Sequence, residues 1–308
     1  MRYLRWMLAI RRVEYFVAEW PIVLMAALLA SGTARPSSAA LGEATALFFL
    51  LFNLGDMANC LADRDLDARY KKHLSEAVYG LGVRSVAAQV IATGAAGLAV
   101  AAHLAWTTGR PAILALVVVG QVLGLAYSLP PVSLKARGLA GPACLWAILF
   151  VGPMLLTGAV LSPAPSAWLV LVAAAYGALQ VGVLLINTAE DYPEDRAAGV
   201  RTAIVALGLR RGLSVAAGLA AVGAVCLGAL ELVLTLGAGA GPLLVWLAVQ
   251  VAGALVLRQL FDLRHRASKL DLAGAIALVK ARARHVPLWV TALAWSHLAC
   301  IAAVTWAK

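Results

Sequence analysis

Charge is the first thing this sequence is short of. Only 13% of its 308 residues are Asp, Glu, Lys or Arg, about half the ~25% of an ordinary soluble domain. With 63% hydrophobic residues and a mean hydropathy of +0.88, the chain cannot cover a water-facing surface of its size. So much apolar surface cannot stay solvated as a disordered chain either. The same balance excludes the soluble two-domain protein that length alone would suggest. Cysteine is sparse too. Cys60, Cys144, Cys226 and Cys300 all lie in apolar stretches and none forms a CxxC pair. They read as small buried hydrophobes, not as a disulfide frame or metal site. No basic run is interleaved with aromatics, so the net charge of +10 carries no nucleic-acid footprint. The opening MRYLRWMLAIRRVEYF has arginines through its first twelve residues and no compact apolar stretch before them; no cleavable signal peptide is expected.

What the chain has is long apolar runs. A membrane helix needs about 20 mostly apolar residues. Nine segments qualify, roughly 15–32, 39–63, 84–106, 111–128, 139–161, 165–191, 212–236, 239–261 and 285–306. The expected fold is an all-α integral membrane protein, a single polytopic domain over 1–308. With the N-terminus placed in the cytoplasm, 22 of the 25 Lys and Arg fall in the N-terminal segment and the loops after spans two, four, six and eight. Only Arg35, Arg110 and Lys308 fall on the other side. This split follows the positive-inside rule and supports an odd span count. The expected setting is a lipid bilayer, the inner membrane of a bacterium, with the C-terminus outside and the chemistry on the cytoplasmic face.

Seven of the 15 acidic residues lie in two clusters, N59-C-L-A-D63-R-D65-L-D67 and N187-T-A-E190-D191-Y-P-E194-D195. Both contain the frame N-x-x-x-D-x-x-x-D, 128 residues apart. The shared spacing suggests two pseudo-repeated halves, about 1–138 and 139–308. Residues i, i+4 and i+8 lie on one helix face. Asn59, Asp63 and Asp67 therefore form one polar stripe, and Asn187, Asp191 and Asp195 form another, with Pro193 able to end or kink the second helix. Helix ends often carry charge, but acids at a C-terminal end oppose the helix dipole, which argues against a purely stabilising role. Two facing carboxylate stripes need cations, and hard oxygen ligands favour Mg²⁺, which bridges carboxylates to substrate phosphates.

Basic residues surround both stripes: Arg64, Arg69, Lys71 and Lys72 after the first, Arg196 and Arg201 after the second, and Lys135 and Arg137 in the loop YSLPPVSLKARG, 127–138. Each is also a product of the positive-inside rule. As a set, carboxylates with Mg²⁺ and Lys/Arg compose a diphosphate site, in which cations neutralise a leaving group.

These segments resemble the UbiA superfamily of intramembrane prenyltransferases. NCLADRDLD (59–67), YSLPPVSLK (127–135), DYPEDRAAGVRT (191–202) and the nine spans carry the resemblance, which covers most of the chain. It implies a nine-helix bundle around a lipid-accessible central cavity. The implied reaction moves a prenyl chain from an isoprenyl diphosphate to a hydrophobic acceptor with Mg²⁺. Asp63, Asp67, Asp191 and Asp195 would hold the metal against the diphosphate. Asn59, Arg64, Arg69, Lys72, Ser128, Lys135, Asn187, Arg196 and Arg201 would bind the diphosphate. One departure is visible: many members have Asp directly after the first Asn, where this chain has Cys60.

Single polar residues inside the spans are costly and usually functional. Asp56, seven residues before Asp63, and Asn53 could orient the acceptor or stabilise a carbocation, or form a buried structural pair. Gln180 is the matching position in span six. Tyr127 and Ser128 end span four with hydroxyls placed for a phosphate or an acceptor proton. Glu231 is a second intramembrane acid, while His103 and His297 look incidental. The alternative reading is a UbiA-type terpene cyclase, in which the chain's own double bonds quench the cation, kept open by Cys60. A transporter is disfavoured because its acidic sites would lie near the bilayer midplane.

Overall fold

The computed structural model describes residues 2–31, 37–164 and 166–307; Arg35 and Lys308, two of the three basic residues expected on the far side, lie outside them. Nine of the described helices are long and apolar enough to cross a membrane. They are α2 (Phe16–Ser31, led by the 3-10 turn Val13–Tyr15), α3 (Ser38–Tyr70), α5 (Val83–Thr108), α6 (Pro111–Ser128), the α7–α8 pair (Ala140–Leu145 and Gly152–Leu161), α9 (Ala167–Glu190), α12 (Leu209–Thr235), α13 (Ala240–Lys269) and α15 (Val286–Ala307). Short helices fill the remaining segments: α1 (Arg2–Ala9), α4 (Lys72–Leu81), α10 (Tyr192–Ala197), α11 (Ala203–Leu207) and α14 (Leu272–Ala283).

Two spans outrun their hydropathy. α3 continues seven residues past the expected end at 63, and α13 eight past 261. An apolar run stops at the first charges, but a helix does not: ADRDLDARY has no Gly or Pro and contains several strong helix formers. At 1.5 Å per residue α3 is about 50 Å long, well beyond the ~30 Å hydrocarbon layer. Its acidic end therefore stands clear of the apolar zone while remaining rigid helix.

The fifth span is not uniform. Between α7 and α8 the chain makes a π turn over Trp146–Val151. Pro153, at the start of α8, has no N–H to return to the carbonyl four residues back, and its ring crowds that turn. The distorted turn lines a cavity of about 180 Å³ together with Leu51, Phe52, Gly55 and Asp56 of α3 and Val119 and Leu123 of α6.

Glycine sets the closest approach in the bundle. A Cβ at Gly182 of α9 would lie 2.4 Å from the Ala220 backbone nitrogen, and one at Gly223 of α12 would lie 2.2 Å from that of Leu179. The α9 and α12 backbones touch, and only hydrogen fits between them. Buried cysteines fill small gaps as expected at Cys60, Cys144 and Cys300, but Cys226 is exposed on α12.

One position overturns its sequence reading. His297 is not incidental: it is buried, its Nδ1 lies 2.8 Å from Glu231 Oε1, and its ring stands edge-on to Tyr176. Gln180 Nε2 donates to the Tyr176 hydroxyl at 2.9 Å and to the Val290 carbonyl at 3.2 Å. Glu231 and Gln180 thus belong to a polar network that joins α9, α12 and α15.

Candidate active site

The loops after spans two, four, six and eight converge at one end of the bundle. Arg137–Gly138 and Arg201–Thr202 form a short parallel pairing, which ties the loop after α6 to the segment after α9. Lys280 of α14 reaches Glu194 of α10 at 2.5 Å. Segments far apart in sequence thereby bring both acidic clusters to one place.

The first stripe is one face of a single continuous helix. Asn59, Asp63 and Asp67 all lie within α3, with Asp67 buried and the other two half-buried. Lys135, from the loop after α6, lays its ammonium across this face. Its Nζ lies 2.5 and 2.6 Å from the two Asp63 carboxylate oxygens and 3.0 Å from Asn59 Oδ1. Ser128 donates to the same Asn59 oxygen at 2.9 Å. Asp65, on the opposite side of the helix, is exposed and accepts from the Tyr79 hydroxyl.

The second stripe is built differently. α9 ends at Glu190, Asp191 caps it, and α10 begins at Tyr192 with Pro193 in its first turn. Pro has no N–H to spend and its fixed φ suits the first turn of a new helix. The continuous face expected from Asn187 to Asp195 is therefore broken at Asp191. Asp191 and Asp195 remain one turn apart, linked by the Asp195 N–H to the Asp191 carbonyl at 2.8 Å. Asn187 is half-buried one turn back on α9.

The two clusters share one field. Burial, then the neighbouring Asp191 charge, push Asp195 up to about 6, with Asp63 of the other cluster adding to the effect. Lys71, the residue between α3 and α4, crosses to Asp191 Oδ2 at 3.1 Å. Burial opposes its charge, but the Asp191 carboxylate and hydrogen bond outweigh burial and raise it. Tyr127 is half-buried near the end of α6, next to Ser128.

Among the described residues no three His, Cys, Asp or Glu side chains converge on one point. Two of the four expected carboxylates are instead engaged by lysines. The donor chemistry still suits a hard divalent cation: four carboxylates and two amide oxygens, with two lysines against four potential negative charges.

The basic residues divide sharply. Lys135 and Ser128 lie against the Asn59–Asp63 face. Arg64 turns back to the Leu61 carbonyl at 2.7 Å and toward Asp65 at 3.5 Å. Arg69, Lys72 and Arg201 are exposed, and Arg196 reaches only the Tyr192 hydroxyl at 3.3 Å. Lys71 and Lys280, neither singled out as a site residue from sequence, pair with Asp191 and Glu194. No spacing rule distinguishes Lys71 from Lys72. The structure does, because Lys71 sits at the junction of two helices, facing inward.

Asp56 and Asn53 lie deeper on α3. Asp56 borders the 180 Å³ cavity, and Asn53 Nδ2 donates to the Phe49 carbonyl at 2.7 Å. Cys60, the departure within the motif, points elsewhere: it is buried, and its Sγ donates to the Ile10 carbonyl at 3.8 Å.

Fold and site together define an intramembrane helix bundle that carries paired carboxylate clusters at one end and, beside Asp56 of the same α3, an apolar cavity. The profile of the UbiA prenyltransferase family matches residues 20–279, and the chain belongs to that family. It is an integral membrane protein of the prenyltransferase class. A UbiA homologue from Archaeoglobus fulgidus bound to GPP and Mg²⁺ is similar over 97% of this chain and 100% of its own, with TM-score 0.62 and 18% identity. The apo structure of a UbiA homologue from Aeropyrum pernix K1 covers 91% of this chain and 96% of its own, with TM-score 0.63 and 21% identity. A chloroplastic chlorophyll synthase of Oryza sativa subsp. japonica is 30% identical over 149 residues, 48% of this chain and 39% of that protein. This chain thus spans about two fifths of the length of that curated relative.

Proposed function

We propose that the protein is a Mg²⁺-dependent intramembrane prenyltransferase, moving an isoprenyl group from an isoprenyl diphosphate to a hydrophobic acceptor. The observation that carries this reading is the charge arrangement of the two acidic clusters. Asp63, Asp67, Asp191 and Asp195 bring four carboxylates, and Lys71 and Lys135 bring two ammonium groups. A polyanionic diphosphate cannot approach this set unless divalent cations come with it. The GPP and Mg²⁺ bound by the Archaeoglobus homologue support the same reading.

In this reading the four aspartates hold the metal, with Asn59 and Asn187 beside them. Mg²⁺, when bound, neutralises charge on the departing diphosphate. Lys135 and Lys71 exchange their carboxylate partners for diphosphate oxygens, and Ser128 donates to the same anion. The 180 Å³ cavity beyond Asp56 takes the prenyl chain, and its Leu, Val and Gly walls keep water from the allylic cation. Tyr127 and Asp56 face the reacting end. The terpene-cyclase alternative rested on Cys60, and that side chain packs toward α1 and leaves the cavity wall untouched.

The test is incubation of the purified protein with isoprenyl diphosphates of several lengths and a panel of acceptors, with mass detection of products. A prenylated acceptor formed only with Mg²⁺ is the expected result. A cyclised hydrocarbon formed with no acceptor present would replace this reading by the cyclase.

A further inference from the structure

The end of the bundle that holds the acidic clusters also carries basic residues that the site does not use. Three of them gather where α12 begins and α13 ends, on two helices that hold none of the four aspartates. Arg264 Nε donates to the Ser214 hydroxyl at 3.0 Å, and that hydroxyl donates to the Arg210 carbonyl at 3.1 Å. Arg210 Nη2 donates to the Leu270 carbonyl at 2.5 Å. Arg211 is exposed three residues before Ser214, so it borders the same spot on the helix surface.

These three guanidinium groups are short of an anion. Each tie to Ser214 or Leu270 uses one of the five N–H donors of its arginine, and each acceptor is neutral. Among the described residues none of the three has a carboxylate within ion-pair distance. Asp262, about 200° round α13 from Arg264, is taken by Arg266 at 2.8 Å and Arg282 at 3.4 Å. Asp271 caps α14 by accepting from the Gly274 N–H at 2.8 Å. Arg210 and Arg211 also stand in the first turn of α12, at the positive end of its dipole, where a cation is unfavourable.

Their depth says what kind of anion fits. Arg210 and Arg211 directly precede the apolar run that starts at 212, and Arg264 follows the end of its run at 261 by three residues. Three residues of helix rise about 5 Å, which keeps all three groups within the headgroup layer, ~5–8 Å thick on each side of the hydrocarbon. One turn deeper the surface turns apolar, with Val215 and Val222 exposed on α12 and Phe261 exposed on α13. We propose that this corner is a binding site for an anionic phospholipid, whose phosphate takes the free N–H groups of Arg210, Arg211 and Arg264 and whose acyl chain lies along Val215, Val222 and Phe261. Guanidinium forks match phosphate oxygens in pairs. A zwitterionic headgroup brings its own ammonium to three like charges, and inorganic phosphate leaves the apolar wall uncovered. The site is separate from the acidic clusters, and the proposal does not rest on the prenyl-transfer reading.

The experiment is native mass spectrometry of the full chain in detergent, titrated with dioleoylphosphatidylglycerol or dioleoylphosphatidylcholine, which share the same chains. The first phosphatidylglycerol is expected to bind about tenfold more tightly than phosphatidylcholine, the scale of one charge-assisted hydrogen bond. Arg264→Gln and Arg211→Gln should each remove about that preference, whereas Arg84→Gln, which removes an exposed charge from the first turn of α5, should leave it within about twofold. Arg211 takes no part in the ties between α12 and α13, so its variant reads the site even where Arg264→Gln does not fold. Excess inorganic phosphate should leave the bound phosphatidylglycerol in place. Equal binding of the two lipids, an Arg84→Gln as weak as Arg211→Gln, or displacement of the lipid by inorganic phosphate overturns the proposal.

Discussion

Lys71 and Asp191 meet at 3.1 Å although 120 residues separate them in the chain. Lys71 belongs to the junction of α3 and α4, and Asp191 caps α9. This pair joins the segment after the first acidic cluster to the second cluster, and it makes a lysine a cation that an incoming diphosphate must compete with or recruit.

Lys71→Met should therefore weaken isoprenyl diphosphate binding about tenfold or more, the loss of one charge-assisted hydrogen bond. Lys72→Met, whose side chain is exposed, should leave binding within about twofold of wild type by the same scale. Diphosphate KM for the two purified variants checks the pair, and equal effects would remove Lys71 from the site.

The backbone contact between α9 and α12 makes a structural prediction. Gly223→Val places side-chain atoms where the Leu179 backbone already stands. Overpacking of this kind destabilises by about 1–3 kcal/mol. A lower thermal unfolding midpoint in detergent is expected, whereas Gly218→Ala, which meets nothing within 4 Å, should be silent.

The buried Glu231–His297 pair should behave as a unit. His297→Leu strands the Glu231 carboxyl inside the bundle, a loss of about 3–5 kcal/mol. Combining it with Glu231→Leu should recover much of that loss, because both polar groups are then gone. Unfolding midpoints for the two single variants and the double variant measure the coupling, while activity per folded molecule should be unchanged because the network lies apart from the acidic clusters.

If the basic bias orients the chain by the positive-inside rule, the two chain ends lie on opposite sides of the membrane. A reporter fused to the C-terminus should be active outside the cytoplasm. One active only in the cytoplasm contradicts the assignment.

Much of this was legible in the sequence because helices are periodic. Nine apolar runs correspond to nine membrane-length helices among the described residues, and the i, i+4, i+8 spacing placed Asn59, Asp63 and Asp67 on one face of α3 and Asp65 off it. The second copy of the same spacing misled in part. Pro193 starts a new helix, so Asp191 and Asp195 stand on two elements where a single face was expected. Which cations enter the site was not legible. Lys71 and Lys72 are neighbours of identical chemistry, and the helix junction alone turns one inward. His297 was misread because a lone polar residue in an apolar run does not show its partner. Glu231 lies 66 residues away on a helix whose neighbours the sequence does not name.

The central claim is that the facing aspartates, through divalent metal, stabilise a departing diphosphate. The most direct test is the initial rate of diphosphate release from an isoprenyl diphosphate at saturating Mg²⁺, for the wild type, Asp63→Ala and Asp65→Ala, with a chelator control. Loss of a metal ligand withdraws several kcal/mol from the transition state, about a hundredfold or more in rate. The account predicts that Asp63→Ala and the chelated wild type are both nearly inactive, while Asp65→Ala keeps most of its rate. Full release in excess chelator, or an Asp65→Ala as inactive as Asp63→Ala, would contradict it.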